Sequence, residues 1–271
     1  MRLSIHHTTH YRYSDPVSHG LQRLRMRPKS THNQQVLDWD MVLGGSRIEV
    51  EYEDHHFNST VLVNVDPGAT ELTVECRGLV DTSDAAGIIG SHSGHLPLWS
   101  FLRTTRLTRA GSHMRKLVAS LDTQSQSTLE TLHQLSTAIQ ESVRYEIGHT
   151  NVETTAEQAL EAGHGVCQDH AHIFIGAARM LDIPARYVSG YLMMNDRIDQ
   201  EAGHAWTEAH VDGLGWVGFD ISNGISPDER YVRVATGFDY RDAAPVAGVS
   251  YGAGESELHV TLAVEQQIAE Q

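Results

Sequence analysis

Apolar and polar side chains alternate along much of the first third of the chain, which is the pattern of half-buried β-strands. Between residues 48 and 53, Ile, Val and Tyr alternate with glutamate, and residues 61–65 and 72–74 repeat the alternation. Turn signals separate these runs, and short strands at this spacing are typical of a sandwich or barrel. We therefore expect residues 1–105 to form an all-β domain, in which the Gly-, Ser- and Ala-rich residues 82–98 form a loop or linker.

The pattern then becomes helical. Leu132, Leu135 and Ile139 recur at the spacing of one helix face, behind the capping-box sequence Ser-Thr-Leu-Glu. A second capping box begins at Thr155, and Gly163 is placed to end that short helix. Strands follow the helices: residues 186–194 predict one strand.

A hairpin is predicted next, with strands at residues 204–211 and 216–220 joined by an Asp-Gly turn. This order indicates an α+β core over residues 106–238. The tail, residues 239–271, contains one further alternating run at 258–264. We expect that run to form a strand that packs on the β domain.

Composition limits the classes of partner and the cellular location that we expect for this protein. The chain has 271 residues and a net charge of -15, which argues against nucleic acid or an anionic membrane as its main partner. No run approaches the roughly 18 apolar residues that a membrane span needs. The N-terminus lacks the apolar core of a signal peptide, so we expect a cytoplasmic protein. Two cysteines in this length form no disulfide framework.

Cys167 lies where a glycine-rich turn runs into an apolar, helix-patterned stretch. The positive end of a helix favours a thiolate over a thiol, and a thiolate that faces a cleft is a nucleophile. A cysteine at a helix start is more often a packed small hydrophobe, so Cys167 alone does not establish catalysis. Cys76, in an alternating strand pattern, is expected to be a half-buried structural thiol.

The predicted hairpin supplies partners for this thiol. His204 opens its first strand and Asp220 closes its second, so the two lie within a residue or so of directly opposite each other. Cross-strand neighbours have Cβ atoms roughly 4.5–5.5 Å apart, within reach of a carboxylate–imidazole hydrogen bond. Whether both side chains point to the same face depends on the register, which the sequence leaves open. Thiol acyl transfer needs this set: a thiolate, a histidine that moves protons and a group that orients the histidine.

A zinc site is the alternative use of these residue types, because cysteine and histidine bind zinc well. The spacing does not favour it, since there is no Cys-x-x-Cys pair and helical geometry turns two of the histidines to different faces. The candidate ligands are His164, Cys167, His170, His172 and His204.

Four segments resemble the bacterial transglutaminase-like superfamily. They are residues 165–172 (GVCQDHAH), 183–191 (IPARYVSGY), 204–208 (HAWTE) and 213–220 (GLGWVGFD). Parts of the first 28 residues and of residues 232–255 are also similar to that family, so the likeness covers nearly the whole chain. Two positions depart from it: His170 stands where an aromatic residue is usual, and residues 221–223 (ISN) replace Pro-Thr-Asn.

The resemblance implies a papain-like α+β core with a Cys-His-Asp triad, carried over as Cys167, His204 and Asp220. It implies an acyl-enzyme on Cys167, with an oxyanion held by the Cys167 backbone N–H and a second donor that cannot be assigned. Gln168, His170 and Trp206 are expected to contact the substrate. For His170, the other interpretation is a partly exposed replacement for the family's aromatic ring.

The resulting functional hypothesis is cysteine-dependent acyl transfer or hydrolysis of a peptide, glutaminyl or isopeptide amide. We expect no cofactor and no metal, and we find no calcium loop of the EF-hand type. The resemblance also implies action beside ATP-grasp amide-forming enzymes. The alternative from another class is a non-catalytic binding module that kept the fold.

Overall fold

A computed structural model describes residues 1–195, 198–200 and 202–267 of the chain. The last four residues of the predicted C-terminal extension, 268–271, lie outside this range. The first half contains β1 (Arg2–Tyr13), β2 (His19–Arg27), β3 (Gln34–Gly44), β4 (Ser46–Glu53), β5 (Ser59–Val65), β6 (Glu71–Thr82), β7 (Ile88–Gly90), a 3-10 helix (Leu98–Leu102), α1 (Ser112–Ala119) and α2 (Thr128–Ser142). The second half contains β8 (Arg144–Tyr145), α3 (Ala156–Ala162), β9 (His164–Gly165), α4 (Cys167–Met180), β10 (Ala185–Leu192), β11 (Asp199–Gln200), β12 (His204–Val211), β13 (Gly215–Phe219), β14 (Tyr231–Gly237), α5 (Tyr240–Ala243), β15 (Val246–Tyr251) and β16 (Ser256–Gln266).

The N-terminal strands form a sandwich of two sheets, as the alternating pattern predicts. One sheet has the order β11-β16-β1-β6-β3 and the other β15-β2-β5-β4. Strand β6 alternates buried and accessible side chains along nearly its whole length, which is the signature of one face against a core. The side chains between the two sheets are Leu24, Met26, Met41, Val61, Val63, Val74 and Cys76.

The C-terminal strands return to this sandwich. Strand β15 pairs with β2, and β16 pairs with β1 over eleven residues, from Leu3 opposite Gln266 to Tyr13 opposite Ser256. Leu262 and Val264 of β16 are buried against Leu3 and Ile5. Both ends of the described chain therefore build the same domain.

The core domain packs α4 against a five-stranded antiparallel sheet of order β14-β10-β12-β13-β7. Phe174 of α4 is buried and lies 5.0 Å, centroid to centroid, from Phe219 of β13. The α+β fold class is thus confirmed. The prediction for residues 82–98 was wrong in part, because Ile88–Gly90 forms β7 and completes the edge of this sheet.

Local signals in the sequence set the helix boundaries. Ser127 and Glu130 form a complete capping box at the start of α2, and Thr155 and Gln158 form another at α3. Gly163 ends α3 with φ of 70°, the left-handed conformation that glycine adopts without strain.

The two domains meet along a seam that is both apolar and hydrogen bonded. The Asn58 side chain donates to the Thr236 carbonyl and accepts from the Thr236 N–H, both at 2.8 Å. A ring nitrogen of His7, Nδ1, lies 2.9 Å from the Tyr191 hydroxyl oxygen. These contacts fix the β domain against the sheet that carries the hairpin.

A buried ion cluster fixes the hairpin in that sheet. Glu208 of β12 is fully buried and accepts hydrogen bonds from Arg186 at 2.5 Å and Arg233 at 2.7 Å. Burial alone would raise the pKa of Glu208, but the two guanidinium charges hold it below its usual range. The Arg186 guanidinium also lies 3.9 Å from the centre of the Trp216 ring. The cluster therefore joins the neighbouring strands β14, β10 and β12.

We predict that Glu208→Gln destabilises the fold strongly. Removing the charge leaves the buried Arg186 and the partly buried Arg233 guanidinium groups without their carboxylate, a loss of the kind that costs about 3–5 kcal/mol. Urea unfolding of the variant measures this cost. The matched control is Glu51→Gln, which breaks a solvent-exposed pair with Arg27 and should change stability little. Equal, small effects of both substitutions would contradict a structural role for the buried cluster.

Candidate active site

Cys167 is the first residue of α4, and its side chain is half-buried. The turn that precedes it is fixed by Asp169, whose Oδ2 accepts from the Val166 N–H at 2.8 Å and from the Thr150 hydroxyl at 2.7 Å. The N-cap residue of α4, Val166, has no side-chain acceptor for the first N–H groups of the helix. Cys167 thus lies at the N-terminal end of α4, where the helix dipole is positive.

His204 begins β12 and connects Cys167 to Asp220. Its Nε2 lies 2.6 Å from Asp220 Oδ2, and its ring also makes a hydrogen bond with the Cys167 side chain. Because Nε2 is used by the carboxylate, Nδ1 is the nitrogen left for the sulfur. The three residues proposed from the sequence therefore form one hydrogen-bonded run.

The register of the hairpin explains this contact. Thr207 pairs with Phe219, so continuing the register by one residue places Asp220 opposite Trp206. Asp220 is then two residues from the position opposite His204, rather than within one residue as predicted. An offset of two keeps both side chains on the same face as diagonal neighbours, whereas an offset of one would separate them.

Asp220 is fully buried and holds its position through further donors. Its Oδ2 accepts from the Tyr231 hydroxyl at 2.7 Å and the Asn223 side-chain amide at 2.7 Å, in addition to His204. Burial alone would raise the pKa of Asp220, but hydrogen bonds and the His204 charge keep it below the usual range. Sequence reasoning did not identify Tyr231 or the amide contact of Asn223. The one signal in the sequence was Asn223, the residue of 221–223 that this chain shares with the family pattern.

His204 is held in its protonated form. Burial opposes the charge, but the hydrogen bonds to Asp220 and Cys167, together with their negative charges, raise the pKa of His204 to about 10. The Trp206 ring stacks against the imidazole at a centroid distance of 6.2 Å and an interplanar angle of 25°. The arrangement favours an imidazolium beside the Cys167 sulfur at neutral pH.

Two cavities meet at His204. One, of about 300 Å³, lies at the seam between the domains and is lined by Cys167, Gln168 and His204. The other, of about 760 Å³, is lined by His204 but not by Cys167, and includes Asn223 and Arg230. The thiol and the imidazole are therefore reachable from different directions.

Three further residues were expected to contact the substrate, and one of them lines the cavity beside Cys167. Gln168 lines the cavity beside Cys167, whereas Trp206 is 2% exposed and lies behind His204. His170 is also 2% exposed: Nε2 donates to the Val143 carbonyl at 3.0 Å, and Nδ1 accepts from the Ser222 hydroxyl at 2.9 Å. Burial lowers the pKa of His170, so the ring is neutral. The expectation of a partly exposed ring was wrong, and neither ring nitrogen is available to a substrate.

In the part of the chain that the structure describes, the geometry gives Cys76 no catalytic role and does not support the zinc alternative. Cys76 is fully buried in the sandwich rather than half-buried, and burial raises the pKa of its thiol to about 12. Across residues 1–195, 198–200 and 202–267, no three His, Cys, Asp or Glu side chains are grouped to hold a metal ion. His204 and His170 already use their ring nitrogens as described. Within the same residues, no helix is long and apolar enough to cross a membrane.

Both domains match the models of known protein families. Residues 115–221 match the model of the transglutaminase-like superfamily, and residues 3–81 match the bacterial transglutaminase-like N-terminal region. An uncharacterized protein of Mycobacterium leprae is 26% identical, covering 97% of this chain and 98% of that protein. An uncharacterized protein of Mycobacterium tuberculosis is 27% identical over 95% of this chain and 90% of its own length.

A solved structure shares the whole fold. The crystal structure of a putative cysteine protease from Cytophaga hutchinsonii superposes with a TM-score of 0.77 at 24% identity, covering 100% of this chain and 92% of that one. At this identity the likeness establishes the fold alone. With both domains matched and the papain-like architecture present, the chain belongs to the transglutaminase-like superfamily, with a bacterial transglutaminase-like N-terminal region ahead of its core.

Proposed function

We propose that this protein is a cysteine-dependent amide acyltransferase or hydrolase in which Cys167 is the nucleophile, His204 the acid–base and Asp220 the orienting carboxylate. The observation that carries the proposal is the hydrogen-bonded run from Cys167 through His204 to Asp220, which opens onto a cavity at the Cys167 end. The superfamily membership supports the same class of chemistry. The acyl donor is a peptide, glutaminyl or isopeptide amide.

Acylation follows from the positions of these groups. The Cys167 thiolate attacks the amide carbonyl carbon, an S–C bond forms, and the carbonyl π electrons move to oxygen. As the tetrahedral intermediate collapses, the C–N bond breaks and His204 Nδ1 gives its proton to the leaving nitrogen. The Cys167 backbone N–H, in the first turn of α4, is a donor for the oxyanion.

Deacylation decides between transfer and hydrolysis. An amine or a water molecule attacks the thioester carbonyl, neutral His204 takes its proton, and the C–S bond breaks to restore the thiolate–imidazolium pair. Both outcomes use the same protein groups and differ only in which nucleophile reaches His204. Action beside an ATP-grasp amide-forming enzyme stays a prediction from the family resemblance.

The three side chains that donate to Asp220 argue for the enzyme over a binding module. A module that only binds a ligand has no need of a buried carboxylate held against a histidine that contacts a thiol. Buried charges cost free energy unless they are paired, so this arrangement is expected where the charge has a chemical task.

The nucleophile is tested by alkylation together with turnover. At pH 7, we expect iodoacetamide to modify Cys167 at least about a hundredfold faster than Cys76, because only thiolates react and Cys76 is buried. His204→Asn should slow labelling of Cys167. Cys167→Ala should abolish release of ammonia from blocked glutaminyl peptides and incorporation of a dansyl-labelled primary amine, whereas the control Cys76→Ala retains both. Equal, slow labelling of the two cysteines, or activity that survives Cys167→Ala, would overturn the proposal.

The pH dependence tests the role of His204. Since its pKa is raised to about 10, the imidazolium that donates to the leaving nitrogen persists through neutral pH and is lost as the pH rises through that value. We expect kcat/KM to keep its value to about pH 9 and then to decline. Asp220→Asn removes the stabilising charge and should move this decline toward the ordinary histidine pKa of about 6.5. A wild-type decline already centred near that ordinary value would contradict the ion pair.

A further inference from the structure

The cavity beside Cys167 is built by both domains. Thr9 and Tyr11 of β1, and Val260 of β16, line it from the β domain. Tyr187 and Tyr240 line it from the core domain. The N-terminal domain therefore forms part of the wall that a group bound to the Cys167 sulfur would meet.

Among the residues that the structure describes, the Cys167–His204 pair is the one charged group that lines this cavity. No Asp, Glu, Lys or Arg occurs among its described lining residues. His7, which also lines it, has its ring nitrogens 2.9 Å from the Tyr191 hydroxyl and 3.2 Å from the Thr9 hydroxyl. Burial lowers the pKa of His7 to about 4, so the ring is neutral in the cavity.

The tyrosines of the cavity are neutral as well. Burial raises the pKa of Tyr11 to about 12, and it raises the pKa values of Tyr187 and Tyr240. The larger cavity on the other side of His204 differs, because it contains the Arg230 guanidinium, paired with Asp228. Of these two cavities, the one beside Cys167 is, apart from the Cys167–His204 pair, uncharged and largely apolar in its described lining.

The chemistry determines which part of the substrate lies in each of the two cavities. The acyl group becomes bonded to the Cys167 sulfur and must lie in the cavity that Cys167 lines. The leaving or incoming amine must reach His204, which borders both cavities. A volume of about 300 Å³ accommodates a small group rather than a long folded segment.

We propose that this cavity is an acyl-donor subsite selective for an uncharged, apolar or aromatic group, and that residues of β1 and β16 determine that selectivity. The inference rests on the proposed function and names its substrate class. An ionic side chain on the acyl group would lose its hydration in the cavity without gaining a countercharge, which disfavours it.

Peptidyl chloromethyl ketones test the subsite without requiring turnover. The Cys167 sulfur displaces chloride, so an S–C bond forms as the C–Cl bond breaks, and the peptidyl group occupies the acyl side. Three ketones that differ only in a Leu, Glu or Lys side chain beside the reactive carbon are compared by their second-order rates, with the site of modification read by mass. For the wild type, we expect Leu to exceed both Glu and Lys at least about tenfold, since charge burial is unfavourable.

A matched pair of variants tests the contribution of the β domain. In β16, Val260 pairs with cavity-lining Thr9, whereas the adjacent His259 pairs with His10 and its side chain is exposed. Val260→Lys places an ammonium at the cavity wall and should raise the Glu-to-Lys rate ratio at least about tenfold by attraction of the carboxylate. His259→Lys adds the same charge on the opposite face and should leave the ratio unchanged. Val260→Phe, a charge-free variant, should slow the Leu ketone by filling the space.

The failures of the two proposals are separable. If iodoacetamide modifies Cys167 rapidly but the wild type shows no preference among the three ketones, the subsite inference is wrong and the nucleophile stands. A preference that Val260→Lys and His259→Lys change equally would overturn the role of β16. If neither iodoacetamide nor any ketone modifies Cys167, the proposed function fails, and the inference fails with it.

Discussion

The hydrogen bond between His204 and Asp220 is 2.6 Å long and joins the two sides of a hairpin, with the carboxylate fully buried. Burying a carboxylate is unfavourable unless donors surround it, and Asp220 has donors from His204, Asn223 and Tyr231. This one carboxylate orients the imidazole, keeps it protonated and leaves Nδ1 for the Cys167 sulfur. The candidate chemistry of the site depends on that contact.

Much of the remaining structure holds the partners of this contact in place. The Glu208 cluster joins β10, β12 and β14, and so links the strand that begins with His204 to the strand that carries Tyr231. Asp169 fixes the turn into α4, on which the position of Cys167 depends. The β domain then closes the space beside the sulfur with side chains from both ends of the described chain. The seam between domains is thus a boundary of the site as well as a structural interface.

Features encoded over short stretches of sequence were predictable. The capping boxes at Ser127 and Thr155, the end of α3 at Gly163 and the helix start at Cys167 depend on neighbouring residues, and all are present. The hairpin and its pairing of His204 with Asp220 were also anticipated, although the offset between them was not. That offset depends on strand register, which many side-chain contacts set together. The strand β7 was missed because three residues carry little pattern, and only its pairing with β13 reveals it.

Contacts between residues far apart in the sequence could not be predicted from it. The His170 ring was expected to be partly exposed, but it is buried and its two nitrogens bond to the Val143 carbonyl and the Ser222 hydroxyl. Nothing near Tyr231 in the sequence indicates that its hydroxyl meets Asp220. The wall formed by Thr9 and Val260 brings together residues from the two ends of the chain, and it exists only because β16 returns to pair with β1. Such placements follow from the topology rather than from any local pattern.

The central claim is that the Cys167 sulfur carries the acyl group, and intact-protein mass spectrometry after rapid acid quench measures this directly. During turnover of an amide substrate, we expect a mass increase equal to the acyl group without its amine, located on the peptide that contains Cys167 and removed by added hydroxylamine. Turnover of the same substrate with no adduct on Cys167, or with the acyl group on another residue, would contradict the claim.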